Sequence, residues 1–364
     1  MILTVTLNAA LDITHHVDRL RPHAAHRVHG VAARAGGKGV NVSRVLHALG
    51  HPTLVTGLAG GGTGAAVRRE LHRAGIPEEL VPVVGETRRT VAVVDASTGD
   101  TTTLLEPGPV VLPEEWSLFR EAFGALLARA TVVVLSGSLP PGLPDDAYAV
   151  LVRAARARGV PALLDTSGPP LLAALPAGPT LVKPNADELT EAATHFAAAL
   201  RTGPAAGAGL APGFQPAPEP GRSAAAAPAS GRDAGPAPEP GDPHRAALLA
   251  AEALLSAGAG AVVASLGGAG MVAVTVEGAW RARPPERLRG NPTGAGDAAV
   301  AALALGIAAR DPWPVRLAEA VALSAAAVAA PLAGSFAPDV HHRLRHLVDV
   351  APLPRTPGDT PCPS

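Results

Sequence analysis

The segment "GNPTGAGDAAVAALALG", residues 290 to 306, places a glycine-rich turn before an Ala/Val/Leu helical run. The first N–H groups of such a helix have no intrahelical partner, so they converge on one point together with the positive end of the helix dipole. Thr293, Gly294, Ala295 and Gly296 therefore form a candidate anion hole, with Asp297 in the same first turn. An acid there also suits an ordinary helix N-terminus. Beside an anion, however, a carboxylate is unfavourable unless it acts on a group approaching that anion. A hydroxyl attacking a γ-phosphoryl group meets the condition, with Asp297 accepting its proton and the amides stabilising the transferring group.

Two further segments offer chemistry. In "GGKGVN", Gly36, Gly37 and Gly39 let a ligand approach the backbone, Lys38 supplies a compact cation, and Asn41 opens a helix over 41 to 49 with an amide that donates and accepts. The spacing is not that of a Walker A loop. In "KPNADEL", Lys183 ends a strand, Pro184 forces the chain out, and Asn185 and Glu188 share one side of the next turn. That pair fits a capping box; it equally suits Glu188 organising Mg²⁺ through water, since Mg²⁺ keeps several waters and takes few protein carboxylates. Lys38 and Lys183 are the only lysines among 30 basic residues. A GC-rich codon bias explains the arginines but not these two positions, which call for a compact point charge.

Elements that could hold these residues are legible. Apolar runs "ILTVTL", "TLVTGL", "TVVVLS", "PALLDT", "TLVKPN" and "AVVASLG" alternate with helical stretches at 41 to 49, 64 to 74, 145 to 158 and 245 to 257. Alternation of this kind predicts βαβ units, hence an α/β fold with a doubly wound, mostly parallel buried sheet flanked by helices. Several strands end in Ser136, Asp165, Lys183 or Ser265, and open α/β sheets bind ligands beyond those ends. Between 12 and 35 and between 88 and 107 the short segments lack room for crossover helices, which predicts a small antiparallel sheet serving as a lid.

From 201 to 244, Pro, Gly and Ala make up 30 of 44 residues, and "PAPEPG" occurs twice. Almost no large apolar side chain is present to offset the entropy of ordering, so the expectation is a disordered insertion. The rest is one domain over 1 to 350, with a flexible tail over 351 to 364. A formal net charge of −1 offers no basic field for nucleic acid, so a small molecule is the expected partner. The single cysteine, Cys362, excludes an intramolecular disulfide and fits a reducing, cytoplasmic location. "MILTVTLNAALD" reads as a strand, neither a signal peptide nor a membrane span. The histidines at 15, 16, 341, 342 and 346 lack an H-E-x-x-H arrangement and suggest no metal site.

"GGKGVN", "SGSLPPG", "KPNADEL" and "NPTGAGDA", in that order, resemble the PfkB (ribokinase-like) carbohydrate kinases, over residues 1 to about 330 outside the insertion. "TVTLNAALD", "GETRRT" and the lysine of "GGKG" are similar to the branch acting on sugar phosphates, the 1-phosphofructokinases and tagatose-6-phosphate kinases. The resemblance implies ATP-dependent phosphorylation of a ketohexose phosphate: fructose 1-phosphate to fructose 1,6-bisphosphate first, tagatose 6-phosphate or fructose 6-phosphate as alternatives. It implies Asp12, Gly37, Lys38, Asn41, Arg88 and Ser138 on the sugar phosphate. Lys183, Asn185, Ser265, Gly267, Gly270 and Thr293 fall near ATP, Glu188 near Mg²⁺, and Asp297 is the base, with Gly294, Ala295 and Gly296 beside it. It further implies a homodimer through the lid. Two positions depart from the pattern: Ala9 stands for the usual Pro, and Thr90 for the Asn two residues after Arg88. Thr90 has one hydroxyl and a shorter reach than an amide, which leaves the identity of the sugar phosphate open.

Two rivals stand beside this reading. "TGLAGGGTGAA" has Gly60, Gly62 and Ala65 between a strand and a helix, with Glu86 further on, the outline of a dinucleotide site in an NAD(P) oxidoreductase. The other is a catalytically silent sugar-phosphate sensor on the same fold.

Overall fold

The computed structural model describes residues 1–202 and 242–355. The chain opens with β1 (Ile2–Thr6), then leaves for a small sheet through β2 (Ala10–Val17) and β3 (Gly30–Gly36). Helix α1 (Lys38–Ala48) returns it to the main sheet, followed by β4 (Thr53–Gly60), α2 (Gly61–Arg73) and β5 (Glu78–Val83). A second excursion adds β6 (Arg88–Asp95) and β7 (Thr101–Leu105). Then come α3 (Pro113–Leu126), β8 (Val132–Ser136), α4 (Ala147–Ala157), β9 (Ala162–Asp165), α5 (Gly168–Ala174), β10 (Leu181–Val182) and α6 (Ala186–Thr202). The last part comprises α7 (Pro243–Ser256), β11 (Ala261–Ser265), β12 (Met271–Thr275), β13 (Ala279–Arg283), α8 (Ala295–Ala308), α9 (Trp313–Val328), α10 (Pro338–Leu344) and β14 (Asp349–Pro352).

The main sheet runs β14-β13-β12-β11-β10-β9-β8-β1-β4-β5, parallel from β5 to β11 and antiparallel over its last three strands. This is the doubly wound, mostly parallel sheet that the alternation of strands and helices predicts. β1, β4 and β8 are buried along their whole length, as both faces are covered by helices. On one face Trp116, Phe119 and Phe123 of α3 stack at centroid spacings of 5.6 and 6.1 Å; burying an aromatic of this size contributes roughly 1.5–3 kcal/mol. Helix α8 lies under α9 and is apolar around most of its circumference, which explains why its Ala/Val/Leu run shows no polar face.

The second sheet, β3-β2-β6-β7, is built from the segments expected to form a lid, and it corrects one expectation. β2 and β6 pair parallel, Asp12 opposite Thr90, because the intervening β3-α1-β4-α2-β5 passage through the main body supplies the crossover that a local reading lacks. Other corrections concern boundaries. Helix α1 starts at Lys38, so Asn41 lies within its first turn instead of opening it. The interval 201–244 falls outside the described residues for 203–241, whereas α6 continues through Thr202 and α7 has begun at Pro243, capped by the Asp242 carboxylate on the His244 amide at 3.0 Å. Residues 351 and 352 are not a tail, since β14 pairs with β13 through them; 356–364 lie outside the described residues.

Candidate active site

Strand order reverses between β1 and β8: β4 and β5 extend one way from β1, and β9 to β11 the other. Loops leaving the strands there must part, which opens a cleft at the carboxyl ends. An open cleft of about 1390 Å³ lies there, and Lys38, Asp165, Lys183, Glu188 and Asp297 all line it.

The turn entering α8 forms as its sequence requires. Gly294 has φ 88°, in the left-handed region, and a Cβ there would fall 2.9 Å from Ala333 Cα, so glycine is needed twice over. The anion-hole expectation is narrowed: the Thr293 amide donates to Asn291 Oδ1 at 3.0 Å and the Ala295 amide to Pro292 O at 3.2 Å. Among the described hydrogen bonds these two donors are already used, leaving the amides of Gly294, Gly296 and Asp297 to meet an anion.

Asp297 is 6% exposed, and its Oδ2 accepts from Asn41 Nδ2 at 2.9 Å. Burial pushes its carboxyl up to about 6, helped by the negative charge of Asp165 and opposed by the Asn41 bond, Lys38 and Lys183. A buried carboxyl poised near neutrality can accept a proton from a hydroxyl.

The two lysines meet on one carboxylate. Asp165, at the end of β9 and 2% exposed, has Oδ1 3.6 Å from Lys38 Nζ and 3.4 Å from Lys183 Nζ, while Oδ2 accepts from Ser136 Oγ at 3.2 Å. Burial opposes ionisation of Asp165, but the two ammonium groups and the hydroxyl outweigh it and hold the carboxyl below its ordinary value. Asp165 in turn raises Lys38 against the effect of burial. The result is a fixed pair of cations beside Asp297. In the sequence Asp165 is only a strand end; its place opposite Ser136 at the ends of β8 and β9 is the signal that marks it.

On the side of the second sheet, Asp12, Arg88 and Thr90 line the cleft. Burial raises the Asp12 carboxyl, against a hydrogen bond from Thr90 and the charges of Arg88, Arg44 and Arg34. Gly36 leaves the room the Asp12 carboxyl occupies, since a Cβ there would fall 2.0 Å from Asp12 Oδ2 and displace that side chain. The Arg88 guanidinium is anchored on backbone, Nε to Asn8 O at 3.2 Å and Nη1 to Glu106 O at 3.3 Å. Gly37 and Asn41 also line the cleft. Ser138 does not; it is exposed and accepts from Asn8 Nδ2 at 3.2 Å.

On the other side lie Asn185, Ser265, Gly267, Gly270 and Thr293, with Arg287 of the β13–α8 connection covering the Gly267–Ala269 turn. Asn185 and Glu188 form the reciprocal capping box, each amide donating to the other's side chain at 2.9 Å. Among the described residues no three His, Cys, Asp or Glu side chains are grouped as a metal cage. Glu188 still lines the cleft, and one carboxylate is what Mg²⁺ bound chiefly by phosphates and water asks of a protein.

The dinucleotide outline fails on geometry. Glu86 places its carboxylate on the N-terminus of α2, accepting from the Gly62 and Thr63 amides at 3.2 and 2.6 Å. The position a pyrophosphate would need is filled by the chain's own acid. No helix among the described residues is long and apolar enough to cross a membrane.

Comparison with known proteins finds relatives over most of the chain. The model of the pfkB family of carbohydrate kinases matches residues 4–207 and 236–340. A curated 1-phosphofructokinase from Xanthomonas campestris pv. campestris is 35% identical over 306 residues, 83% of this chain and 82% of the relative. Phosphofructokinase-2 from Escherichia coli, solved in complex with fructose-6-phosphate, is 26% identical with a TM-score of 0.74, covering 95% of this chain and 98% of that one. The structure of a possible 1-phosphofructokinase from Thermotoga maritima is 25% identical with a TM-score of 0.74, covering 97% and 100%.

Proposed function

The chain belongs to the pfkB family of carbohydrate kinases, and from that premise we propose that it transfers the γ-phosphoryl group of ATP to fructose 1-phosphate, giving fructose 1,6-bisphosphate. The observation that carries the reaction type is Asp297: a buried carboxyl raised to about 6, held by Asn41 at the unoccupied amides of the α8 turn. In this reading the sugar hydroxyl lies against Asp297, which accepts its proton as the oxygen attacks phosphorus. The Gly294, Gly296 and Asp297 amides, with the cations fixed by Asp165, stabilise charge on the transferring group. Lys183, Asn185, Ser265, Gly267, Gly270 and Thr293 bind the nucleotide side. Glu188 is the residue that would hold Mg²⁺ through water, and the ion would neutralise phosphate charge.

Substrate choice rests on charge. Lys38 and Arg88 face the cleft as cations for a phosphate that the sugar already carries, while Asp12 takes hydroxyls. The curated relative is named a 1-phosphofructokinase, which favours fructose 1-phosphate over fructose 6-phosphate and tagatose 6-phosphate. A coupled ADP-release assay across the three substrates is expected to give the highest kcat/KM with fructose 1-phosphate; a clear preference for either of the others would displace it. ADP release also separates a kinase from a silent sensor.

We further propose a homodimer through the lid. Register sets Ile13, Val91 and Leu104 on one face of this sheet, opposite the cleft side, and Leu104 is 61% exposed. Leu104→Glu is expected to convert a dimer to a monomer in sedimentation; a wild-type chain already monomeric would sink the idea.

A further inference from the structure

A second cavity, of about 300 Å³, lies behind the cleft between α1, α2 and the α9–α10 connection, and it shares no lining residue with the cleft. That volume is at the lower end of the range for small-molecule sites. Three basic side chains line it, Arg34, Arg44 and His47, and no carboxylate does. Arg44 is 5% exposed; its Nη2 donates to Ala35 O at 3.2 Å and pairs with Glu70, but its Nε has no partner. A buried guanidinium N–H left unpaired is costly unless something else accepts from it. Arg34 commits Nη1 to Ala333 O at 3.0 Å; burial and the neighbouring Arg44 charge work against its protonated form, and the Glu70 and Asp12 carboxylates favour it without offsetting them. Two guanidinium groups are thus held together in a partly closed space with more donors than acceptors. The remaining wall is mainly apolar, from Ala48, Ala74, Ile76 and Phe336.

We propose that this cavity is an effector site for a phosphomonoester carrying a compact apolar group, and that its occupancy is transmitted to Asn41. Paired guanidinium forks match phosphate geometry. The apolar wall offers few partners for a polyol, which sets this ligand apart from the sugar phosphate of the cleft. Transmission has a short path: Arg44 and Asn41 are successive neighbours on α1 at i, i+3 spacing. Gly334 lies against both, since a Cβ there would fall 3.0 Å from Arg44 Cδ and 3.0 Å from Asn41 Oδ1. The adjoining Ala333 packs on Gly294 of the α8 turn. A ligand that shifts this connection therefore bears on the groups that hold Asp297.

The test is calorimetric titration of the full chain with phenyl phosphate, beside inorganic phosphate and phenol. Phenyl phosphate is expected to bind more tightly than either fragment. Ala48→Trp, which fills the cavity from an exposed position, and His47→Glu, which sets a carboxylate beside the guanidinium groups, should each weaken binding by at least ~10-fold, about 1.4 kcal/mol. Turnover without phenyl phosphate should stay at the wild-type level in both. Saturating phenyl phosphate should change the KM for the sugar phosphate in wild type and leave it unchanged in Ala48→Trp. Equal affinity in wild type and both variants would assign the binding to the cleft and overturn the site, as would no binding at millimolar concentrations. A wild-type KM that does not respond would overturn the transmission. The binding readout is independent of which sugar phosphate is the substrate.

Discussion

Asn41 Nδ2 donates to Asp297 Oδ2 at 2.9 Å, joining the first turn of α1 to the first turn of α8 across 256 residues. The bond fixes one carboxylate oxygen; in the proposed reaction the other meets the sugar hydroxyl. In the proposed reaction Asn41 is thereby a positioning residue for Asp297, beyond the sugar contact expected of it. Asp297→Asn should lower kcat by ~10² or more while the chain stays folded. Asn41→Ala should lower kcat by a smaller factor and keep nucleotide affinity. Wild-type turnover by a folded Asp297→Asn enzyme would remove the base assignment.

With the Asp297 carboxyl near 6 in the free enzyme, the kcat/KM profile should show an acid limb there, activity rising with pH as Asp297 ionises. The two neighbours move that limb in opposite directions. Asn41 favours the ionised form, so Asn41→Ala should shift it to higher pH; Asp165 disfavours it, so Asp165→Asn should shift it to lower pH. Shifts in the same direction, or none, would show that another group sets the limb.

The same group links pH to stability. Its folded value, about 6, lies above the ordinary 3.8, so the contribution of Asp297 to stability is complete below 3.8 and lost as pH rises through 6. Asp297→Asn should therefore raise the melting temperature at about pH 8, and the gain should shrink toward about pH 4. A gain that is equal at both ends would point to packing instead of charge.

Lys38→Arg conserves charge, yet it should raise the KM for the sugar phosphate by ~10-fold or more. Lys38 fits a site shared with Lys183 against Asp165, at 3.6 and 3.4 Å, where a planar fork would displace the second ammonium. Steady-state kinetics with fructose 1-phosphate checks this, and an unchanged KM would leave Lys38 without a substrate role.

Much of the fold was legible because its signals are local. Short Val/Leu/Ile runs between Ala-rich helices gave the parallel sheet, and positive-φ glycines such as Gly294 gave the turn before α8. The second sheet was visible as an interruption but its pairing was not, since the parallel register of β2 on β6 depends on a crossover through the main body. The capping box of Asn185 and Glu188 was readable from spacing alone; the use of the Thr293 and Ala295 amides by Asn291 and Pro292 was not.

Residue order settles which groups exist and where each sits along its own element: a carboxylate at the start of α8, two rare lysines, an amide on α1, a carboxylate at the end of β9. Only the tertiary structure decided which of them meet. The order β9-β8-β1 brings strand ends together that are distant in the chain, so Asp165 gathers Lys38 and Lys183 and Asn41 reaches Asp297. Burial then changes what the groups are, raising Asp297 and holding Asp165 ionised. Propensity and periodicity act over a few residues, whereas charge, desolvation and hydrogen bonding act over a few ångströms, and only folding makes those two neighbourhoods coincide.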